Sequence, residues 1–458
     1  MDLPKAVEDQ REEGLALRVQ APLEQLGDWT APADRPDPVG VLTDQDAARV
    51  PELVPIRHGR MIVSPFTFYR GGAAIMAWDL GQAATPELHV QCCGDAHLSN
   101  FGVFAAPDRR LVFDVNDFDE TLPAPFEWDV KRLVASVVVA ARDNGHRPKK
   151  QRAAARATAK AYRTTMAEAA ATRFMDVWYA RVDVDELFAE LSASESKSSV
   201  KEAQKNLAKA RARTSLGSLA KFAEEVDGGY RIKDAPPVIV HLAEATAGDW
   251  EQVVRKGLVD YAKTLSPDRR LVLDHYHYED FARKVVGVGS VGMEAFMVLL
   301  TGDRKDDPLF LQIKEATTSV LAPFAGPSKY KHQGERVVQG QRVTQSASDA
   351  FLGWVTGSGE KGRQFYVRQL RDMKGSAAIS TMSPKRLARY GSICGATLAR
   401  AHARTGGAAK ISGYLGDDDV ADRAFARFAI SYADQNDTDY RAFSAAAEDG
   451  RIAVELGI

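Results

Sequence analysis

The residues best suited to chemistry lie in two short strings, CGDAHLSNFG at 93–102 and VNDFDE at 115–120. Asp95 and Asn100 sit five positions apart in one polar loop, and Asp117 opens the turn after the next strand-like run. Carboxylate and amide oxygens are hard donors and suit magnesium. Phosphoryl transfer from ATP needs such a set: a carboxylate to orient or deprotonate the acceptor hydroxyl, and oxygen ligands for a metal bridging the phosphates. Acids at such positions also cap turns and helices, and the helix dipole alone explains Asp129 at the start of a helical run. The joint spacing of Asp95, Asn100 and Asp117 is more specific than capping requires.

These residues resemble the kinase-like phosphotransferases, especially the aminoglycoside phosphotransferase branch. That branch carries G-D-x-H-x-x-N, a strand, a D-F-G-like turn, and an aspartate opening a helix. Gly94-Asp95-Ala96-His97-Leu98-Ser99-Asn100 matches the first part, Asn116-Asp117-Phe118-Asp119 the second, and Asp129 of WDVKRL the third. The resemblance implies Asp95 as catalytic base, Asn100 and Asp117 as metal ligands, Asp119 as an extra metal ligand, and His97 as a brace for the loop. From RGGAAIMAWDL through NDFDET, and over most of the chain, the sequence more closely resembles DUF2252, a bacterial family of unknown function. That family is grouped with protein-kinase-like folds, a grouping that implies a fold and brings no substrate.

Fewer than 100 residues precede Asp95, and they hold no glycine-rich hairpin followed by a strand lysine. Such a segment occurs later, as VVGVGSVGMEAFMVLL and then LFLQIKEA. Gly287, Gly289 and Gly292 form G-x-G-x-x-G, with Ser290 inside it. A dinucleotide-binding reading needs a helix directly after the motif, whereas Phe296, Val298 and Leu300 alternate as in a strand. A glycine hairpin over the phosphates, with a lysine on the next strand reaching them, is the kinase arrangement and assigns Lys314 to the nucleotide. Glu335, 21 residues further along on the predicted helix GERVVQGQR, is the expected acid partner of that lysine. Glu315 is adjacent on the strand, so its side chain points to the opposite face.

The elements that position these residues imply an α+β, protein-kinase-like two-lobe fold in circularly permuted order. Helical-lobe elements come first and the glycine-rich antiparallel sheet lobe later, an exchange tolerated where the original termini lie close together at the surface. Residues 1–50, rich in Pro, Asp and Glu, are expected to be an arm, extended over a domain or partly disordered. Residues 51–283 hold the catalytic loop and helical-lobe elements, 284–375 the sheet lobe, and 376–458 the helices that complete the helical lobe. Ser64-Pro65 predicts a helix over 66–80. Strands over 88–92 and 110–115 are expected to pair as a hairpin presenting the acidic loop. Val130, Leu133, Val134, Val137 and Val138 recur at helical spacing, helix continues through 149–191, and the charged run 195–213 reads as a solvated helix. Further strands are expected over 285–300, 309–316, 350–355 and 365–370, a helix near 335–345, and a helix capped by Ser383-Pro384. Residues 365–370 with Arg371-Asp372-Met373 are the expected hinge, whose backbone would bond adenine. HYHYED at 275–280 reads as a mobile polar surface rather than a metal site.

The chain has 458 residues, 45% hydrophobic and 27% charged, with net charge −2. That balance argues against broad nucleic-acid binding, which needs a basic excess. No apolar run reaches the roughly 20 residues that span a bilayer, and the charged N-terminus lacks a signal-peptide core. A cytoplasmic protein without a membrane partner is expected. Cys92, Cys93 and Cys394 are too few for a disulfide framework and read as small buried residues. Only ten residues separate Asp117 from Trp128, which leaves no platform for a peptide and favours a small-molecule hydroxyl or amine as acceptor. The expected activity is therefore ATP- and Mg2+-dependent phosphotransfer to such a molecule. A non-catalytic nucleotide-binding pseudokinase, a nucleotidyl transferase on the same fold and a metal-dependent phosphohydrolase stay open as alternatives.

Overall fold

Four short runs around the acidic strings extend into strands: β1 (His89–Cys92), β2 (Phe101–Ala105), β3 (Leu111–Val115) and β4 (Leu122–Pro125). The computed structural model describes residues 5–192, 197–242, 247–358, 362–370 and 373–458. It pairs these strands as two separate antiparallel ribbons, β1 with β4 and β2 with β3. The expected hairpin between β1 and β3 does not form. Two prolines in β4 hide it from propensity, but proline is tolerated on an edge, and Pro123 and Pro125 sit opposite Gln91 and His89 in a two-stranded ribbon. The acidic loop thus joins the two ribbons instead of tipping one hairpin.

Helices form the bed beneath the ribbons. The Phe126–Asp143 helix is buried on almost every face, including Val130, Leu133, Val134, Val137 and Val138. Each fully buried side chain of this kind contributes about 1.5–3 kcal/mol, enough to make the helix a rigid mount for what it touches. The Pro148–Ala170 and Pro384–Ala403 helices pack against it and each other, although the sheet lies between them in sequence. Ser383 caps the second of these as expected, accepting from Arg386 N at 3.4 Å. The predicted 66–80 helix is two helices, Pro65–Gly71 and Ala73–Gly81, which meet at Gly72. Ser64 and Thr67 form a reciprocal capping box at its start.

A small ribbon of β5 (Ala223–Val226) and β6 (Gly229–Ile232) leads into a six-stranded sheet. Its strands are β7 (Ile239–Val240), β8 (His277–Lys284), β9 (Ala295–Thr301), β10 (Pro308–Glu315), β11 (Gly353–Thr356) and β12 (Gln364–Gln369). The order is β11-β12-β10-β9-β8-β7, antiparallel throughout. β9 is buried along its whole length, as an unbroken apolar run in mid-sheet should be. The 275–280 segment is not mobile surface: most of it enters β8, where Asp280 accepts from Ile232 N at 2.6 Å and lies 3.0 Å from His241 Nε2. The charged run forms the Lys197–Arg211 helix, while Glu195 and Ser196 fall outside the described residues.

The N-terminal arm is helical rather than extended. Its Val7–Ala16 helix packs on the Ala408–Leu415 helix, and Arg18 Nε donates to Tyr414 O at 2.7 Å. Arg35 then bridges two carboxylates, with Nε 2.6 Å from Asp79 Oδ1 and Nη2 2.7 Å from Asp439 Oδ2. These partners lie far away in sequence, so local periodicity carries no trace of them.

Candidate active site

The acidic loop is held from below. Asp129, in the first turn of the Phe126–Asp143 helix, accepts from Cys93 N at 2.7 Å and Gly94 N at 3.0 Å. His402 Nε2 lies 3.2 Å from the same carboxylate. Ser136 Oγ accepts from Leu98 N, and Tyr390 donates to Leu98 O. Gly94 has φ +85°, and a Cβ there would stand 2.2 Å from Glu120 O, so the position requires glycine. Asp129 therefore does more than cap its own helix: it anchors the loop that carries Asp95. With Cys92 it and His402 form, among the described residues, a buried group of metal-type ligand atoms within 4.8 Å. The Asp129 oxygens are already engaged by two N–H groups, which makes this trio a mount.

Asp95 is gripped by Arg132, whose Nε donates to Oδ1 at 2.8 Å, while His97 Nε2 stands 3.5 Å from Oδ2. Arg132 is buried, also donates to Tyr69 O at 2.7 Å, and stacks 3.9 Å over the Tyr69 ring. Asn100 spends its amide nitrogen on two carbonyls, Asp95 O at 3.0 Å and Asp117 O at 3.1 Å. Its carbonyl oxygen is the remaining side-chain acceptor.

The other half comes from the sheet. Residues 285–294 join antiparallel β8 and β9, and Gly287 and Gly292 take positive φ, +76° and +88°. The loop is pinned to the segment before the acidic loop. Arg60 donates to Gly287 O at 2.6 Å, Arg49 to Val291 O at 2.6 Å, and Val50 N to Gly292 O at 2.8 Å. Lys314 projects from β10, opposite Ala295 on one side and Tyr366 on the other, with 2% side-chain exposure. Its ammonium lies 3.5 Å from Asp117 Oδ2 and forms an ion pair with Asp119, whose other oxygen accepts from Tyr366 OH at 2.8 Å. Burial opposes this charge, but Asp117 and Asp119 outweigh it and hold the ammonium above its usual pKa.

A cavity of about 330 Å³ runs between these parts. Asp95, Asn100, Asp117, Asp119, Gly287, Gly289 and Ser290 all line it, and Lys314 stands behind the two aspartates. Gly292 closes the loop against Arg49 away from the lining. Glu335 does not partner Lys314. The Gln333–Thr344 helix instead turns Arg336 inward, where it is buried and donates to Asp119 O, Thr121 O and Thr317 O at 2.7–2.8 Å. Lys314 takes its acid from Asp119, the second aspartate of N-D-F-D, a residue expected to bind metal. Both Asp119 oxygens are used, whereas Asp117 keeps 40% of its side chain exposed. Asp117 with the Asn100 carbonyl oxygen is a donor set that fits magnesium.

The hinge differs too. Leu370 N donates to Phe310 O and Met373 N to Arg213 O, both at 2.9 Å, so neither is open to adenine; Arg371 and Asp372 lie outside the described residues. Phe222, from the Ser215–Phe222 helix, packs with Phe310 and Leu370 and covers the sheet there. Sequence reading missed Arg132, Arg336, Tyr366 and Phe222. Arg132 alone left a signal, as the second of two basic residues in the WDVKRL string.

Among the described residues no helix is long and apolar enough to cross a membrane. The three cysteines are free and buried. No curated protein and no solved structure matches the chain. A family model covers residues 49–446, and the chain belongs to DUF2252, the family described as an uncharacterized protein conserved in bacteria.

Proposed function

We propose that this chain is an ATP- and Mg2+-dependent phosphotransferase that acts on a small-molecule hydroxyl or amine in a kinase-like cleft of permuted order. One observation carries the reading. Lys314 and Asp117, 197 positions apart, meet at 3.5 Å beneath a glycine loop that joins two antiparallel strands. The run of glycine hairpin, lysine strand and following helix agrees with the kinase pattern, and the acidic half precedes it in the chain. Helices from both sides of the sheet in sequence share one bed, as a rotated chain order requires.

In this reading Asp95 accepts the acceptor's proton, and Arg132 fixes the carboxylate that does so. Asn100 and Asp117 would hold magnesium, which neutralises phosphate charge when bound. Glycine-loop N–H groups and Lys314 orient the phosphates, with Asp119 keeping the lysine charged and in place. Phe222 covers the surface where the base would be expected, so its helix is the element that must yield to nucleotide.

The test is phosphorus NMR of purified protein with Mg-ATP and a metabolite pool. ADP with a new phosphate ester or phosphoramidate is expected. AMP and pyrophosphate would point to nucleotidyl transfer, and no turnover with intact nucleotide binding to a pseudokinase. Phe222→Ala should tighten ATP binding; weaker binding in that variant would remove the base from this slot.

A further inference from the structure

The cleft has a third wall, supplied by neither the acidic loop nor the glycine loop. Arg49, Arg57 and Arg70 line it, from the end of the N-terminal arm and the segment between it and β1. Arg57 also donates to Leu42 O and Gln45 Oε1, and Arg49 and Arg57 share one carboxylate, Asp46. Its Oδ1 lies 2.5 Å from Arg57 Nη1 and 3.5 Å from Arg49 Nε, and its Oδ2 lies 2.8 Å from His58 Nε2. The Arg70 side chain has no hydrogen bond or ion pair among the described residues, and its Nε is buried. Arg49 Nε, Arg57 Nε and His97 Nδ1 are likewise buried without a hydrogen-bond partner, His97 being only 8% exposed. Burial, reinforced by the like charge of Arg57, pulls the Arg49 guanidinium down to about 9.

Arg49 and Arg57 are thus partly satisfied, whereas Arg70 presents donors that meet no acceptor among the described residues. An unsatisfied buried donor costs about 1–3 kcal/mol, more when charged. A ligand that supplies the acceptors recovers that cost. Guanidinium groups match the paired oxygens of a phosphate or carboxylate bidentately, which a hydroxyl or amine cannot reproduce. Arg70 shares the cavity with Asp95, so a group seated on it lies next to the predicted base.

We propose that the arginine wall is an oxyanion subsite, and that the acceptor bears a phosphate or carboxylate which seats on Arg70 beside Arg49 and presents its hydroxyl or amine to Asp95. This rests on the phosphotransferase reading and narrows its substrate to anionic small molecules. The glycine loop and Lys314 remain the seat of the nucleotide phosphates.

Calorimetric titrations of the full chain with inorganic phosphate and with acetate test the subsite and separate the two oxyanions. A parallel titration with a non-hydrolysable Mg-ATP analogue tests the nucleotide seat. Wild-type protein should bind one of the oxyanions, and Arg70→Gln should weaken it about 10- to 100-fold, the value of one or two charge-assisted bonds. Arg70→Lys, which keeps the charge and loses the fork, should fall between. Nucleotide affinity should stay within about two-fold in Arg70→Gln, well below one charge-assisted bond. No oxyanion binding in wild type, equal binding in Arg70→Gln, or a matching loss of nucleotide affinity would overturn the proposal. Arg70-dependent oxyanion binding in a protein that never takes nucleotide would keep the subsite and sink the phosphotransferase reading instead.

Discussion

The acidic and basic walls of the cleft are built on opposite terms. On the acidic side Asp95 holds Arg132, Asp119 holds Lys314 and Tyr366, and Asp129 holds two backbone amides. On the basic side Arg49 and Arg57 lean on one aspartate, Asp46, and Arg70 has no hydrogen bond or ion pair among the described residues. The difference separates charges that build a site from charges that await a ligand. A paired buried charge fixes geometry, and its removal strands its partner. An unpaired one adds little to the fold and keeps its binding capacity free.

The largest expected break is catalytic. Asp95→Ala and Asp117→Ala should each reduce phosphotransfer by about 10²- to 10³-fold or more, the usual cost of one preorganised electrostatic group. Near-wild-type turnover in either purified, folded variant would end the assignment. Asp95→Ala should still bind nucleotide, which calorimetry checks.

Next is the contrast between paired and unpaired arginines. Arg132→Gln leaves Asp95 without its cation and the Tyr69 carbonyl without its donor, and should cost about 3 kcal/mol by denaturant titration. Arg70→Gln should change stability by less than about 0.5 kcal/mol, because no hydrogen bond or ion pair is lost. Equal losses in the two variants would erase the distinction between the walls.

Lys314 sharpens the same point within one element. Lys314→Ala strands Asp119 and should destabilise the chain by about 2–3 kcal/mol, discounted because Asp119 keeps 19% side-chain exposure. It should also weaken nucleotide binding. Lys305, with 69% side-chain exposure in the turn before β10, is the control, and its replacement should leave both measurements unchanged. A more damaging Lys305→Ala would contradict the strand assignment.

The smallest effect lies away from the cleft. His241 sits between Asp280 and Asp234, at 3.0 and 2.9 Å, and the Asp280 hydrogen bond, helped by Asp234, raises its pKa. A folded pKa above the unfolded value of about 6.5 contributes stability that is complete below that pH and lost as pH rises through the folded value. Melting curves at pH 5.5 and 8.5 should show this as about 0.5 kcal/mol, the scale of a partly exposed pair. His241→Asn should abolish it, and an unchanged pH dependence in that variant would assign the slope elsewhere.

Local sequence determined the elements whose signal is self-contained. The apolar run of β9, the Ser64 and Ser383 caps, the amphipathic helices and the G-D-x-H-x-x-N loop were legible, because each depends on neighbours a few positions away. The antiparallel pairing of β9 with β10 followed from the same short-range pattern, and the α+β class from the mixture of periods. Strand partners around the acidic loop were not legible. Local logic favours β3 as the partner of β1, because the prolines of β4 hide that strand, and the pairing with β4 emerges only in the folded chain.

What the tertiary structure alone decided is which charges meet. Nothing near Lys314 in sequence chooses Asp119 over Glu335 as its partner, since both are acids at plausible spacing and the choice depends on how the Gln333–Thr344 helix is rotated. That rotation turns Arg336 inward against three carbonyls and leaves Glu335 at the helix start. The arginine wall is equally invisible in one dimension, because Arg49, Arg57 and Arg70 read as ordinary surface cations until the glycine loop, some 220 residues later, closes over them. Electrostatic partnership depends on distance through space and on exclusion of water, and a linear sequence encodes neither until the chain has folded.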